Sequence, residues 1–308
     1  MFMEDTASAG VLAARAAEHH RSPYGYVPTE WICIMFIALF AVSSAIHLGQ
    51  TVWSRLWWLL GTTVLAGLIE IIGWSGRLWS SISPTLLNPF LMQITTTIIA
   101  PTPLIAANFV ILGQIIKRLG QQYSRLSAKW YTIIFCSCDI IALVIQAVGG
   151  AKASAAVQNN QDPNPGGHVM LGGIAFQLAA VSIYLILAAE FLLRYHIDKP
   201  FQRKSGAMPK SYAFDRGVQL MIVGLAFDGV FILIRSIYRT IELTDGWSGR
   251  IIETQVYFNV LDGAMIVLAM FTLNFFHPAF LLGKADRWNV KDPSEADSEN
   301  PGYPKASS

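Results

Sequence analysis

Seven stretches of this chain are each long and apolar enough to demand a hydrocarbon environment, and that leaves few folds open. A bilayer core takes about 20 predominantly apolar residues per helix. The stretches that meet this length are 31–48, 56–74, 89–116, 130–148, 169–193, 217–238 and 255–276. Lipid offers no hydrogen bonds, so each backbone polar group must be satisfied inside the protein, and runs of this length read as helices. Composition agrees: 53% of the 308 residues are hydrophobic and 14% are charged, against about 25% charged in soluble domains. The expected fold is all-α, a polytopic membrane protein of seven transmembrane helices. Residues 30–283 would form the helical domain. Residues 1–29 would be a polar extracellular tail without the n-region and h-region of a signal peptide, and 284–308 a disordered cytoplasmic tail.

Lys and Arg set the orientation, because cytoplasmic loops carry an excess of them. Seven fall in the N-terminal tail, the even-numbered connections and the adjoining helix end at Arg235, and fifteen in the odd-numbered connections and the C-terminal tail. The expectation is an outside N-terminus and a cytoplasmic C-terminus. The fifth connection alone holds Arg194, Lys199, Arg203, Lys204, Lys210 and Arg216. The stretch 149–167, rich in Asn, Pro and Gly, reads as an exposed outer loop that begins where Gly149-Gly150 ends the fourth helix.

Against this apolar background a charged stripe stands out. Asp228, Arg235, Arg239 and Glu242 are spaced by seven, four and three, so on a helix they share one face. A charge at the bilayer centre costs at least about 2.5–3.5 kcal/mol, and such residues mark functional paths more often than lipid-facing surface. Other polar residues fall within or beside the apolar runs: Glu70, Gln93, Asp139, Gln146, Gln177, Glu253 and Asp262. With the rise of 1.5 Å per residue, most lie in the outer half, and Asp139, Gln177 and Asp228 lie near the midplane. Arg77, Arg235 and Arg239 are the candidate partners of the acids. Two readings stay open: the set lines an amphiphile-binding cavity, or it is a salt-bridge lock between helices. Arg235 and Arg239 also suit interfacial anchoring. Pro101 and Pro103 sit in mid-helix, where a missing N–H predicts a kink or hinge.

Several chemistries lack their signatures. The six histidines show no His-x-x-x-His spacing, and there is no nucleophile elbow, Walker loop or dinucleotide fingerprint. No catalytic residue, metal or cofactor is assigned, and the chain reads as a non-enzyme. The three cysteines give no disulfide framework. No basic patch with interleaved aromatics points to nucleic acid. The expected partners are membrane lipids or amphiphilic small molecules.

Ordered motifs across six helices carry a resemblance. They are Pro89-Phe90-Leu91-Met92-Gln93; Ala100-Pro101 leading to Ala106-Ala107-Asn108; Cys138-Asp139 with Gln146-Ala147-Val148-Gly149-Gly150; and Gly172-Gly173-Ile174-Ala175-Phe176-Gln177. The longest is Arg235-Ser236-Ile237-Tyr238-Arg239-Thr240-Ile241-Glu242, followed by Glu253, Asp262 and His277-Pro278. On these the chain resembles the fungal lipid-translocating exporters, also called resistance-to-aminocholesterol-like proteins. It departs from their pattern at Asn108-Phe109, where Tyr is usual, and at Gly149-Gly150-Ala151, where a third Gly is common. The resemblance implies seven helices, an extracellular N-terminus, and export or flip of sphingoid long-chain bases with resistance to toxic amphiphiles at the plasma membrane. A seven-helix lipid sensor or receptor is the alternative.

Overall fold

The computed structural model describes residues 22–159, 161–201, 215–246 and 249–283. Among them seven helices are long and apolar enough to cross a membrane: α1 (Glu30–Ser54), α2 (Trp57–Ile82), α3 (Leu87–Leu119), α4 (Ala128–Gln158), α5 (Asn164–Ile197), α6 (Arg216–Thr244) and α7 (Gln255–Leu281). The described residues contain no strand. The expected disordered tail 284–308 and most of the N-terminal tail lie outside the described residues. So does the stretch 202–214 of the basic fifth connection.

The helices are longer than the apolar runs. The largest correction concerns α4, which continues through Gly149-Gly150 to Gln158, so the expected loop from 149 to 167 shrinks to 159–163. The reason is contact rather than termination. A Cβ on Gly149 would lie 2.4 Å from the Met170 backbone nitrogen, and one on Gly166 would lie 2.3 Å from that of Ala153. These glycines let α4 and α5 touch backbone to backbone, the small-residue packing that lipid favours where no hydrophobic drive separates helix from solvent. Gly173 does the same against Gln146, whereas Gly172 faces open space. The second correction is at α2, which runs on to Ile82 and carries Arg77 inside the helix instead of in a connection.

Helices adjacent in sequence pack side by side, and α7 returns against α1 to close the ring. The second half of α3 also touches α2, α4 and α6. It is the most buried span and runs through the middle of the bundle. Aromatic rings fill the interior, among them Phe36 stacked on Trp74 at 4.0 Å and Phe109 edge-on to Tyr184 at 4.7 Å. Residues 22–29 lie at the end where α6 gives way to α7: the Thr29 hydroxyl donates to Gln255 Oε1 at 3.0 Å. We call this end the N-face and the opposite end the C-face.

Two spans depart from regular helix where the polar residues are. α3 is divided into Leu87–Ile99 and Pro101–Leu119 at Ala100. Pro101 has no N–H to give the carbonyl four residues back, so the Thr97 carbonyl loses its helical donor. In α7 a π-turn spans Asn259–Gly263, an insertion that re-aims the side chains it carries and recurs at functional sites. Asp262 is one of those side chains.

Candidate functional site

The two irregular turns face the charged stripe of α6. The Thr97 carbonyl freed by Pro101 accepts from Arg235 Nη2 at 2.5 Å. Arg235 Nε donates to Asp262 Oδ1 in the π-turn at 2.8 Å. One turn on, Arg239 Nη1 donates to Glu242 Oε2 at 2.6 Å and Nη2 to Thr97 Oγ1 at 2.8 Å, with Nε 3.2 Å from Asp262 Oδ1. The Tyr238 hydroxyl donates to the other Glu242 oxygen at 2.8 Å. Gln93 Nε2 donates to Thr97 Oγ1 at 3.2 Å. Glu70, buried on α2, is within electrostatic reach of Arg235, Arg239 and Asp262. Six of the candidate residues, Glu70, Gln93, Arg235, Arg239, Glu242 and Asp262, therefore meet in the N-face half. Each is at most 4% exposed.

The rest of the set is distributed elsewhere. Asp228, further towards the C-face and fully buried, accepts a hydrogen bond from Asn108 Nδ2 on α3. Gln146 on α4 donates to Gln177 on α5 at 3.1 Å, and Gln177 donates to Thr102 at 3.4 Å. Asp139 lies near Gln177, yet neither of its oxygens has a partner of hydrogen-bonding geometry among the described residues. Glu253 is exposed in the connection before α7. Its side chain packs over Gly25, where φ is +75° and an added Cβ would lie 2.7 Å from Glu253 Cγ.

Arg77 takes none of the acids expected of it. Its Nη2 donates to the Tyr26 hydroxyl at 2.5 Å. Its guanidinium carbon lies 4.3 Å from the Phe258 ring centre, 5.0 Å from Tyr24 and 5.7 Å from Trp74. Burial pushes the Tyr24 phenol up to about 12 against the lowering pull of Arg77, and burial raises Tyr26 as well. Neutral rings thus meet this cation by cation–π attraction.

Thr97, Tyr238, Asn108 and the Tyr24–Tyr26 pair are the residues that sequence reasoning missed. Thr97 had a signal, since it stands four residues before Pro101. Tyr238 sat inside the stripe motif, but its hydroxyl could not be assigned a partner. The tyrosines lie outside the apolar runs and reach Arg77 only because the chain folds back.

Two cavities flank the polar residues. A groove of about 610 Å³ between α6 and α7 is walled on its inner side by Tyr238. A second cavity of about 260 Å³ lies among α3, α4 and α5, with Gln146 in its wall.

Comparison with known proteins places these elements in a lineage. Residues 63–285 match the family model described as RTA1 like protein. The chain is 30% identical over 294 residues to the sphingoid long-chain base transporter RSB1 of Saccharomyces cerevisiae, covering 86% of this chain and 76% of that one. It is 25% identical over 307 residues to Protein RTA1 of the same organism, covering 91% and 92%. Protein RTM1 of Saccharomyces cerevisiae is 24% identical over 205 residues, covering 66% and 62%. No solved structure matches the chain.

Proposed function

This chain belongs to the RTA1-like protein family, and from that premise and its buried charges we propose that it translocates amphiphilic lipids across the plasma membrane. The substrate proposed is a sphingoid-like long-chain base or a toxic amphiphile of similar build, and its removal would confer resistance. Transport here involves no covalent chemistry and no cofactor. The named function of a relative that covers 86% of this chain supports the reading.

The observation that carries it is the network of Arg235, Arg239, Glu242 and Asp262, held by α3 at the carbonyl that Pro101 leaves open. Charges in hydrocarbon are costly, and a well-packed apolar replacement for a buried ion pair is often neutral or stabilising. In this proposal the network has a use beyond holding the helices together. An ammonium head-group would compete with the arginines for Glu242 or Asp262, and a phosphate or hydroxyl would compete with the acids for Arg239. In this proposal Glu70 and Gln93 extend the same site. Asp139, Gln146, Gln177 and Asp228 continue a polar path towards the C-face, Glu253 stands at the entrance, and Pro101 and Pro103 provide the hinge. The N-face would be extracellular and the C-terminus cytoplasmic.

One other reading is a lipid sensor that binds without moving its ligand, which an apolar groove beside the four charges would serve equally well. Reconstitution separates the two. Purified protein in liposomes should carry a fluorescent long-chain base between leaflets, and Arg239→Ala should abolish the flux. Binding without flux by the wild-type protein would favour the sensor, and neither binding nor flux would remove both readings.

A further inference from the structure

The groove between α6 and α7 has a composition that selects its occupant. Ile237, Ile241, Ile251 and Leu261 give it an apolar bed, and Asp245 and Arg250 stand at its N-face end, just past the last turn of α6. Ile237 and Ile241 are 42% and 51% exposed. In a bilayer, exposure at this depth is exposure to hydrocarbon chains. Asp245 and Arg250 are exposed where the helix leaves the apolar zone, at the level of lipid head-groups. Asp245 is already oriented, because one carboxylate oxygen accepts the Ile251 N–H at 3.0 Å.

The inner wall connects this groove to the buried charges. Tyr238 lines the groove and is itself 4% exposed. Its hydroxyl donates to Glu242, which Arg239 holds on its other oxygen. One phenol ring therefore separates a bilayer-facing groove from the ion-pair network.

We propose that this groove is the loading site for a single-chain amphiphile with an ammonium head-group, its alkyl chain along Ile237, Ile241 and Leu261 and its amine on Asp245. Arg250 takes the hydroxyl or phosphate oxygen beside the amine. The two opposite charges at one end of an apolar slot suit a head-group that carries a cation and an acceptor together. Tyr238 is the partition that the head-group passes to reach Glu242. This rests on the reading of the chain as an amphiphile translocator and names the place where its substrate enters.

The test uses full-length protein in liposomes and an octadecylamine carrying a diazirine at mid-chain, with the matching octadecanol as a neutral probe. Cross-links from the amine should map to α6 and α7 around Ile237 and Leu261. Ile237→Trp, which fills the slot from an exposed position, should lower labelling and flux about tenfold. Asp245→Asn should lower amine labelling about tenfold, the loss of one charge-assisted hydrogen bond, while octadecanol labelling stays within twofold. Labelling that maps elsewhere overturns the proposal. So does an Ile237→Trp protein that moves the amine at the wild-type rate, and in that case the translocator reading stands. A wild-type protein that neither binds nor moves either probe overturns both.

Discussion

At the scale of residues, the question is whether the α6 charges do more than hold helices together. Arg239 and Glu242 provide the cleanest case, because each is buried and they contact each other at 2.6 Å. Removing one partner strands the other in a low-dielectric interior and costs about 3–5 kcal/mol. Arg239→Ala is thus expected to unfold at a clearly lower temperature in detergent. The double variant Arg239→Gln/Glu242→Gln replaces the ion pair by a neutral amide pair and keeps an acceptor for Tyr238. Its thermal stability should return most of the way to wild type while its flux of long-chain base stays low. A double variant that transports normally would reduce the pair to a fastening. The stripe and its spacing were legible in the sequence, because charges seven, four and three apart can only share a face. Their partners were not. Pairing depends on which helix stands opposite, and Arg77 shows how far that departs from charge matching. It is met by Phe258, Tyr24 and Tyr26, and two of these come from a segment whose path back over α2 has no periodic signal.

At the scale of elements, the break in α3 and the glycines between α4 and α5 have different consequences. The break in α3 at Ala100 was readable, since Pro101 and Pro103 each remove a donor from a span that lipid otherwise keeps fully bonded. Its purpose emerged only with α6 in place, when the Thr97 carbonyl proved to accept Arg235. Pro101→Ala would restore an N–H to that carbonyl. A carbonyl oxygen has two lone pairs, so the Arg235 contact is weakened rather than lost. The variant should match or exceed wild type in thermal stability, with flux reduced several-fold. Unchanged flux would mean that the break is static. The glycines of α4 were misread as a helix end because the sequence cannot distinguish a glycine that terminates from one that admits a neighbour. Here Gly149 and Gly166 admit one, with backbone on both sides and nothing flexible to yield. Gly149→Leu should therefore lose its monodisperse peak in size-exclusion chromatography, while Gly172→Ala, at a position with open space, should elute as wild type.

At the scale of the whole molecule, the seven-helix count followed directly from hydropathy, and the orientation rests on charge outside the helices. The structure sharpens that count. Arg77, Arg235 and Arg239 counted towards the N-face total, yet all three are buried within spans. A buried guanidinium does not act as a topology signal at the membrane surface, since that signal belongs to loops and helix ends. Among the described residues this leaves Lys152 and Arg250 at the N-face against eight at the C-face: Arg55, Lys117, Arg118, Arg125, Lys129, Arg194, Lys199 and Arg216. The asymmetry is steeper than in the sequence count, and an extracellular N-face is the orientation to expect from it. Site-directed labelling tests it in a background where Cys33, Cys136 and Cys138 are replaced by Ala. Lys152 is exposed near the N-face end of α4, and Gln121 is exposed in the connection between α3 and α4 on the C-face. Lys152→Cys should react with a membrane-impermeant maleimide on intact cells. Gln121→Cys should react only after the cells are permeabilised. The reverse pattern would turn the molecule over and place the loading groove in the cytoplasmic leaflet, so that import or an inward flip would replace export as the direction to explain.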